Sequence, residues 1–238
     1  MLIIVISRKG DSYMSIYITG DTHAPIDIDK LSGRMFKEQK SLNKNDFVII
    51  CGDFGGVWNG SRHDEYCLDW FQSKRFTTLF CGGNHENYDL LYQYPVKEWN
   101  GGKIHKIRKS IFHLINGEVF ELDGKRFFIM GGASSHDKEW RTSGVSWWPE
   151  EIPSGCVMEY GLENLRKYGN DVDYIITHCA PTSVQRKICS FYKEDSLTEY
   201  LDYIYSNVRF EKWFCGHYHI DKKIDNVNIV YNSIIKIS

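Results

Sequence analysis

The sequence predicts an α/β fold. Three observations point there: short β-branched runs recur along the chain, amphipathic stretches separate them, and 42% hydrophobic residues over 238 positions suffice to fill a core. Ile16 to Thr19, Phe47 to Cys51, Thr77 to Cys81, Tyr174 to Thr177 and Lys212 to Cys215 read as buried strands. Between the first two, Asp27 to Lys40 is expected to be helical, with Asp27 as N-cap and Ile28, Leu31 and Met35 on one face. A second helix over Arg62 to Lys74 sets Tyr66, Trp70 and Phe71 on one side, and this alternation favours a largely parallel sheet. The middle is β-rich: Ser110 to Ile115, Glu118 to Leu122 and Arg126 to Met130 are strand-like, with Asp123-Gly124 as a two-residue hairpin turn. Met158, Leu162, Leu165 and Tyr168 recur at helical spacing before a stop at Gly169-Asn170, and another helix is expected over Leu197 to Tyr205. Lys223 to Ile229 and Val230 to Ile235 read as final strands without a strong turn between them. No repeat or Pro-rich linker interrupts the chain, so residues 1–238 are expected to form a single domain. Residues 1–13, ahead of the compact start at Met14, read as an added edge strand or a dispensable extension.

Composition narrows the classes of partner. Lys plus Arg (29) against Asp plus Glu (31) leave a net charge of −2, so no overall basic field recruits nucleic acid or anionic membrane, and a phosphate must be held locally. No apolar run approaches the ~20 residues that cross a bilayer, which argues against membrane spans and a secretory signal. The seven cysteines include no Cys-x-x-Cys pair, and Cys51, Cys81, Cys179 and Cys215 lie in apolar runs that suit reduced, buried thiols. The expected compartment is the cytoplasm.

The chemistry is concentrated in five short clusters, each following a predicted buried strand: Gly20-Asp21-Thr22-His23, Gly52-Asp53, Gly83-Asn84-His85-Glu86, Thr177-His178-Cys179 and Gly216-His217-Tyr218-His219. Open α/β sheets place their ligand crevice at the carboxyl ends of strands. Asp21, Asp53, Asn84, His23, His178, His217 and His219 together offer oxygen and nitrogen donors without thiolate, a set that suits two divalent first-row cations. A carboxylate can bridge such a pair about 4 Å apart. In extended backbone, His217 and His219 would project to one side, as would Asp21 and His23. Each cluster alone is weak, since Gly-Asp is first of all a turn dipeptide and Gly-Asn-His-Glu reads equally as a turn and helix start. Their order and strand-end placement together single out a metal site.

Taken in order, these clusters resemble the signature of the calcineurin-like metallophosphoesterase superfamily: Asp-x-His, Gly-Asp, Gly-Asn-His-Asp/Glu, a lone His and Gly-His-x-His, here running from Gly20 to His219. The resemblance implies two mixed β-sheets packed face to face with helices outside. It implies that Asp21, His23 and His219 bind one divalent metal, that Asn84, His178 and His217 bind the other, and that Asp53 bridges them. His85 would be the acid or charge-stabilising residue near the leaving group. Manganese, iron or zinc would serve. Such a pair lowers the pKa of a shared water toward neutrality, so that hydroxide attacks the phosphoester in line.

Departures narrow the substrate. Gly52-Asp53 continues into Phe54-Gly55-Gly56 where many phosphoprotein phosphatases of this superfamily carry an Asp-Arg pair, so a small phosphomonoester or phosphodiester is favoured over a Ser/Thr phosphoprotein. A nuclease is an alternative that net charge does not indicate. A non-catalytic metal-binding interaction module on the same scaffold is a further one, though such a module should show eroded clusters. Substrate control is assigned to Ser134 to Pro153, with His136, Arg141, Trp147 and Trp148 as candidates: Arg141 can fork onto a phosphate and the aromatic rings can stack on a base or sugar. The same tryptophans would equally anchor a long loop onto the core. Lys103, Lys106, Arg108 and Lys109 form a small basic cluster read as a solvated face.

Overall fold

The computed structural model describes residues 14–238, and the reading of residues 1–13 lies outside them. In chain order the elements are strand β1 (Ile16–Thr19), strand β2 (Phe47–Ile50), helix α1 (Arg62–Gln72), strand β3 (Thr77–Phe80), helix α2 (Tyr88–Leu91), and strands β4 (Val96–Trp99), β5 (Gly102–Arg108), β6 (Ile111–Leu114), β7 (Val119–Leu122) and β8 (Lys125–Met130). Then come α3 (Gly155–Lys167), β9 (Tyr174–Thr177), α4 (Thr182–Ile188), α5 (Ser196–Asn207), β10 (Lys212–Cys215), β11 (Lys222–Ile224), β12 (Val227–Ile229) and β13 (Ile235–Lys236). Among the described residues the strands form a seven-stranded sheet, ordered β13-β1-β2-β3-β6-β5-β4, and a six-stranded sheet, ordered β11-β12-β10-β9-β8-β7. Both are mixed: β1, β2, β3 and β6 run parallel, as do β8, β9, β10 and β12, with antiparallel partners at the edges.

Residue alternation along each strand sorts side chains into layers. Ile16, Ile18, Phe47, Ile49 and Leu79 of one sheet meet Phe120, Phe127, Ile129, Ile176 and Phe214 of the other in a core between the sheets. Val48, Ile50 and Phe80 turn the other way and pack under α1 and α2 with Leu68, Phe71 and Leu91. Phe128, Met130, Ile175 and Trp213 turn outward under α3, α4 and α5. The result is helices, sheet, sheet, helices. Central strands are buried on both faces, which is why they read as unbroken apolar runs. Among the described residues no helix is long and apolar enough to cross a membrane.

Several expectations are corrected. Asp27 to Lys40 is not one helix but two short 3-10 turns, Ile28–Leu31 and Lys37–Ser41. Ser32-Gly33 breaks the run, and the Asp27 carboxylate makes no cap because His23 Nδ1 takes it at 2.7 Å. The cluster Lys103, Lys106, Arg108 belongs to the hairpin β4–β5, whose turn Asn100-Gly101, with φ 46° and 89°, is of the same type as Asp123-Gly124, with φ 51° and 71°. Helix α4 follows Pro181, a start signal the periodicity did not reveal. At the C-terminus the run over Lys223 to Ile229 folds back on itself as the hairpin β11–β12 around Asp225, whose φ is 53°.

Phe120 is fully buried and its ring lies 6.0 Å from Trp99 of the opposite sheet. Phe120→Ala is expected to cost about 3–5 kcal/mol of unfolding free energy, with an unchanged m-value in urea.

Candidate metal centre

Parallel pairing brings the carboxyl ends of β1, β2 and β3 to one edge of the first sheet and those of β9 and β10 to one edge of the second, and the face-to-face packing sets these edges together. Within each edge the loops are tied together, the Gly216 N–H donating to the His178 carbonyl at 2.9 Å and the Thr22 and His23 N–H groups to the Asp53 carbonyl at 3.0 and 2.8 Å, and across the sheets His178 Nδ1 lies 2.7 Å from the Cys51 carbonyl. Close approach explains two of the glycines. A Cβ on Gly83 would lie 2.1 Å from Asp53 Oδ1, and one on Gly216 would lie 2.0 Å from Asp21 Oδ1.

The seven residues assigned to metal binding converge around Asp53, which is 1% exposed. Its Oδ2 faces His23 Nε2 at 3.1 Å and His178 Nε2 at 3.4 Å, and its Oδ1 accepts the His85 backbone N–H at 2.7 Å. Asp21 Oδ2 faces His219 Nε2 at 3.1 Å. Asn84 Oδ1 faces His178 Nε2 at 3.1 Å and His217 Nδ1 at 3.0 Å. Donor atoms of Asp21, His23 and His219 lie within 4.8 Å of one another, as do those of His23, Asp53 and His85 and those of Asp21, Asp53 and His178, while Asn84 joins His178 to His217.

The same-side chelation read from extended backbone is corrected for His217 and His219. Both adopt positive φ, 67° and 51°, and the turn sends one ring to Asn84 and the other to Asp21. His23 and Asp53 also hold positive φ, 35° and 49°, a conformation that costs free energy in non-glycine residues and collects at functional sites.

Electrostatics test whether this donor set fits a cation. His178 Nδ1 lies 2.7 Å from the Cys51 carbonyl oxygen, which can only accept, so that nitrogen carries a proton. In the neutral ring Nε2 is then a lone pair, and it faces the oxygens of Asn84 and Asp53. His23 is held between two carboxylates, Asp27 at Nδ1 and Asp53 at Nε2. Burial opposes the His178 imidazolium, but Asp53 and Asp21 outweigh it and hold it up at about 9. His23 behaves alike: burial opposes its charge, and the hydrogen bond and charge of Asp53 carry it to about 9. Burial would raise the Asp21 and Asp53 carboxyls, yet the surrounding imidazoles lower both, Asp53 well below the carboxylate range. His217 goes the other way, driven by burial and the His178 charge to about 3. These residues compete for positive charge at one spot, and a divalent cation satisfies nitrogen and oxygen lone pairs together.

His85 lies beside the group, its ring centroid 5.4 Å from that of His23. Burial lowers its imidazole, with Arg141, His23 and His178 acting against the pull of Asp53. Arg141 donates through Nη2 to His85 Nε2 at 3.3 Å while its Nε donates to Asp137 at 2.7 Å. With Arg141 donating, His85 Nε2 is an acceptor and Arg141 carries the positive charge that faces it.

The remaining substrate candidates separate. His136 is exposed, with its ring 5.7 Å from His217 and 5.3 Å from Tyr192. Trp147 is half-buried at the foot of the same loop. Trp148 is instead a core anchor: it is 2% exposed, packs edge-on against Trp58 and donates from Nε1 to Asp89 at 2.8 Å, so it has no free face for a ligand. Sequence reasoning missed Asp27, four residues after His23, and the Cys51 carbonyl, each of which holds an imidazole by its Nδ1.

Among curated proteins, the chain is 24% identical over 192 residues to the lariat debranching enzyme of Danio rerio, covering 72% of this chain and 32% of that protein. It is 22% identical over 245 residues to the lariat debranching enzyme of Homo sapiens, covering 87% and 42%. The chain thus matches less than half the length of each of these relatives. A solved structure described as a candidate 5'-nucleotidase from Staphylococcus aureus in complex with alpha-ketoglutarate aligns with a TM-score of 0.48 at 15% identity, covering 92% of this chain and 48% of that one. The family model for calcineurin-like phosphoesterases matches residues 14–221, a span that contains all five loops meeting at Asp53. By that match the chain belongs to the calcineurin-like phosphoesterase family.

Proposed function

We propose that this protein is a metal-dependent hydrolase of phosphoester bonds, acting on a small phosphomonoester or phosphodiester in the cytoplasm. The observation that carries the reading is the convergence of imidazole, amide and carboxylate lone pairs on Asp53 from both sheets. Asp21, His23 and His219 would hold one divalent cation, Asn84, His178 and His217 a second, with Asp53 shared between them. When bound, two such cations supply Lewis acidity toward phosphoryl oxygens and make a water acidic enough to ionise near neutral pH.

The protein's own residues do the rest. Asp27 and the Cys51 carbonyl fix the tautomers of His23 and His178, leaving Nε2 of each directed at Asp53. Arg141 presents a guanidinium beside His85 Nε2, so an anionic oxygen arriving there meets fixed positive charge and an imidazole. The negative charge of such a substrate favours protonation of His85, which then gives its proton to the departing alkoxide or phenoxide. Phosphoprotein is disfavoured because the run Phe54-Gly55-Gly56-Val57 after Asp53 carries no Asp-Arg pair, its Phe54 being fully buried and stacked on Phe80 at 4.3 Å. A nuclease is the second reading, favoured by the lariat debranching enzymes among the relatives. The cytoplasmic assignment rests on free cysteines, with Cys51, Cys67, Cys81, Cys179 and Cys215 buried. A core shared by β1–β3 and β9–β10 supports one domain.

Hydrolysis of p-nitrophenyl phosphate beside bis-p-nitrophenyl phosphate, with manganese, iron or zinc supplied, tests this reading. Turnover of at least one ester is expected, lost on chelation and restored by metal; inactivity with every metal would favour an interaction module. His85→Ala should keep its metal content and lose about 10²- to 10⁴-fold in kcat, whereas Asp53→Asn should lose metal and activity together. Gly83→Ala should bind less manganese than the parent, because the new methyl would strike the Asp53 carboxylate and lie 2.4 Å from the Asp53 backbone nitrogen, forcing that loop to shift. Parental metal content in Gly83→Ala would contradict a dependence of the site on the close approach of this loop to Asp53.

A further inference from the structure

An asparagine side chain can ligate a metal only through its oxygen, and its two ends are nearly the same size, so something must choose which end faces the site. Asn84 Nδ2 lies 3.2 Å from Ser135 Oγ, across 51 residues of chain. By itself this contact does not decide the amide's orientation, since a hydroxyl both donates and accepts. The decision comes one step further out. Ser135 Oγ donates to Glu151 Oε2 at 2.7 Å, and the Ser135 backbone N–H donates to Glu151 Oε1 at 2.9 Å. With its one proton committed to a carboxylate, the Ser135 hydroxyl can only accept from Asn84, so the amide NH₂ must point to Ser135 and Oδ1 toward His178 and His217. Asn84, Ser135 and Glu151 are 6%, 3% and 2% exposed, so water does not compete for these bonds.

We infer that Ser135 and Glu151 are positioning residues that set the amide of Asn84 oxygen-inward, and thereby set the affinity of the cation site shared by Asn84, His178 and His217. The inference rests on the proposed metal centre. The same contact closes the neck of the segment carrying Arg141, because Ser135 stands at its start and Glu151 at its end. The Glu151 carboxyl, accepting from both the backbone N–H and the hydroxyl of Ser135, sets the direction of the relay; burial raises its pKa and these two bonds oppose that rise. Glu151→Gln is nearly isosteric, but its amide would donate to Ser135 Oγ, free the hydroxyl proton for Asn84 and allow the Asn84 NH₂ to face the imidazoles.

Manganese titration of the full chain by calorimetry, at fixed pH, distinguishes the outcomes. The parent protein should take up two ions. Ser135→Ala and Glu151→Gln should each weaken one of the two by about 10- to 100-fold and leave the other at parental affinity, while Ser135→Thr, which keeps the hydroxyl, restores both. A purely structural role would lower Tm without this split between sites. Two ions bound at parental affinity by Ser135→Ala and Glu151→Gln would overturn the relay while leaving the metal centre intact. No uptake by the parent protein would overturn the metal centre, and the relay with it.

Discussion

A carboxylate that is 1% exposed cannot stay ionised in a protein interior unless positive charge or hydrogen-bond donors surround it. Asp53 is that group, and much of the local architecture is arranged around its demand. One oxygen takes the His85 backbone N–H, and the other faces two imidazoles drawn from different sheets. Removing water makes each of these interactions stronger and makes any unpaired member more costly. The loops therefore accept left-handed backbone at His23, Asp53, His217 and His219, and glycine at positions 83 and 216, where a side chain would strike a carboxylate. Strain of this kind persists only where the surrounding structure over-determines it, here two sheets locked by a common apolar layer.

The same layer explains which parts of the fold were legible in the sequence. Strands β1, β2, β3, β9 and β10 are buried on both faces, so Ile16 to Thr19 or Phe47 to Ile50 announce themselves as unbroken apolar runs, and the chemistry follows each of them. In the edge hairpin β4–β5 exposed lysines interrupt the pattern, Ile104 packing between the sheets and Ile107 in the layer beneath α1 and α2, with a register shift between Lys106 and Arg108. Asp27 to Lys40 carries apolar residues at helical spacing, but periodicity does not weigh Ser32-Gly33 or the competing claim of His23 on the Asp27 carboxylate.

Local words also gave the candidate metal-facing residues, because four of the five loops hold a donor next to a glycine and the fifth, His178, directly follows β9. What they could not give is how those donors are oriented. The Cys51 carbonyl that fixes His178 lies 127 residues away from it, and Ser135 lies 51 residues from Asn84. No spacing rule connects such pairs; they exist only once the sheets have met. Trp148 illustrates the converse, since its place in an aromatic, glycine-led segment suggested a ligand contact while its indole fills the layer beneath α1 and α2 and anchors to Asp89. The segment it anchors reaches the site at two points, through Arg141 at His85 and through Ser135 at Asn84, so these two side chains share one support.

Crystals grown with manganese, examined by anomalous scattering, give the most direct reading of whether these side chains serve a pair of cations. Two anomalous peaks about 3.5–4 Å apart are expected, one on each side of the Asp53 carboxylate, with Asn84 Oδ1 directed at the one near His178 and His217. No peak beside Asp53 in metal-saturated crystals, or a single ion held elsewhere, would contradict it.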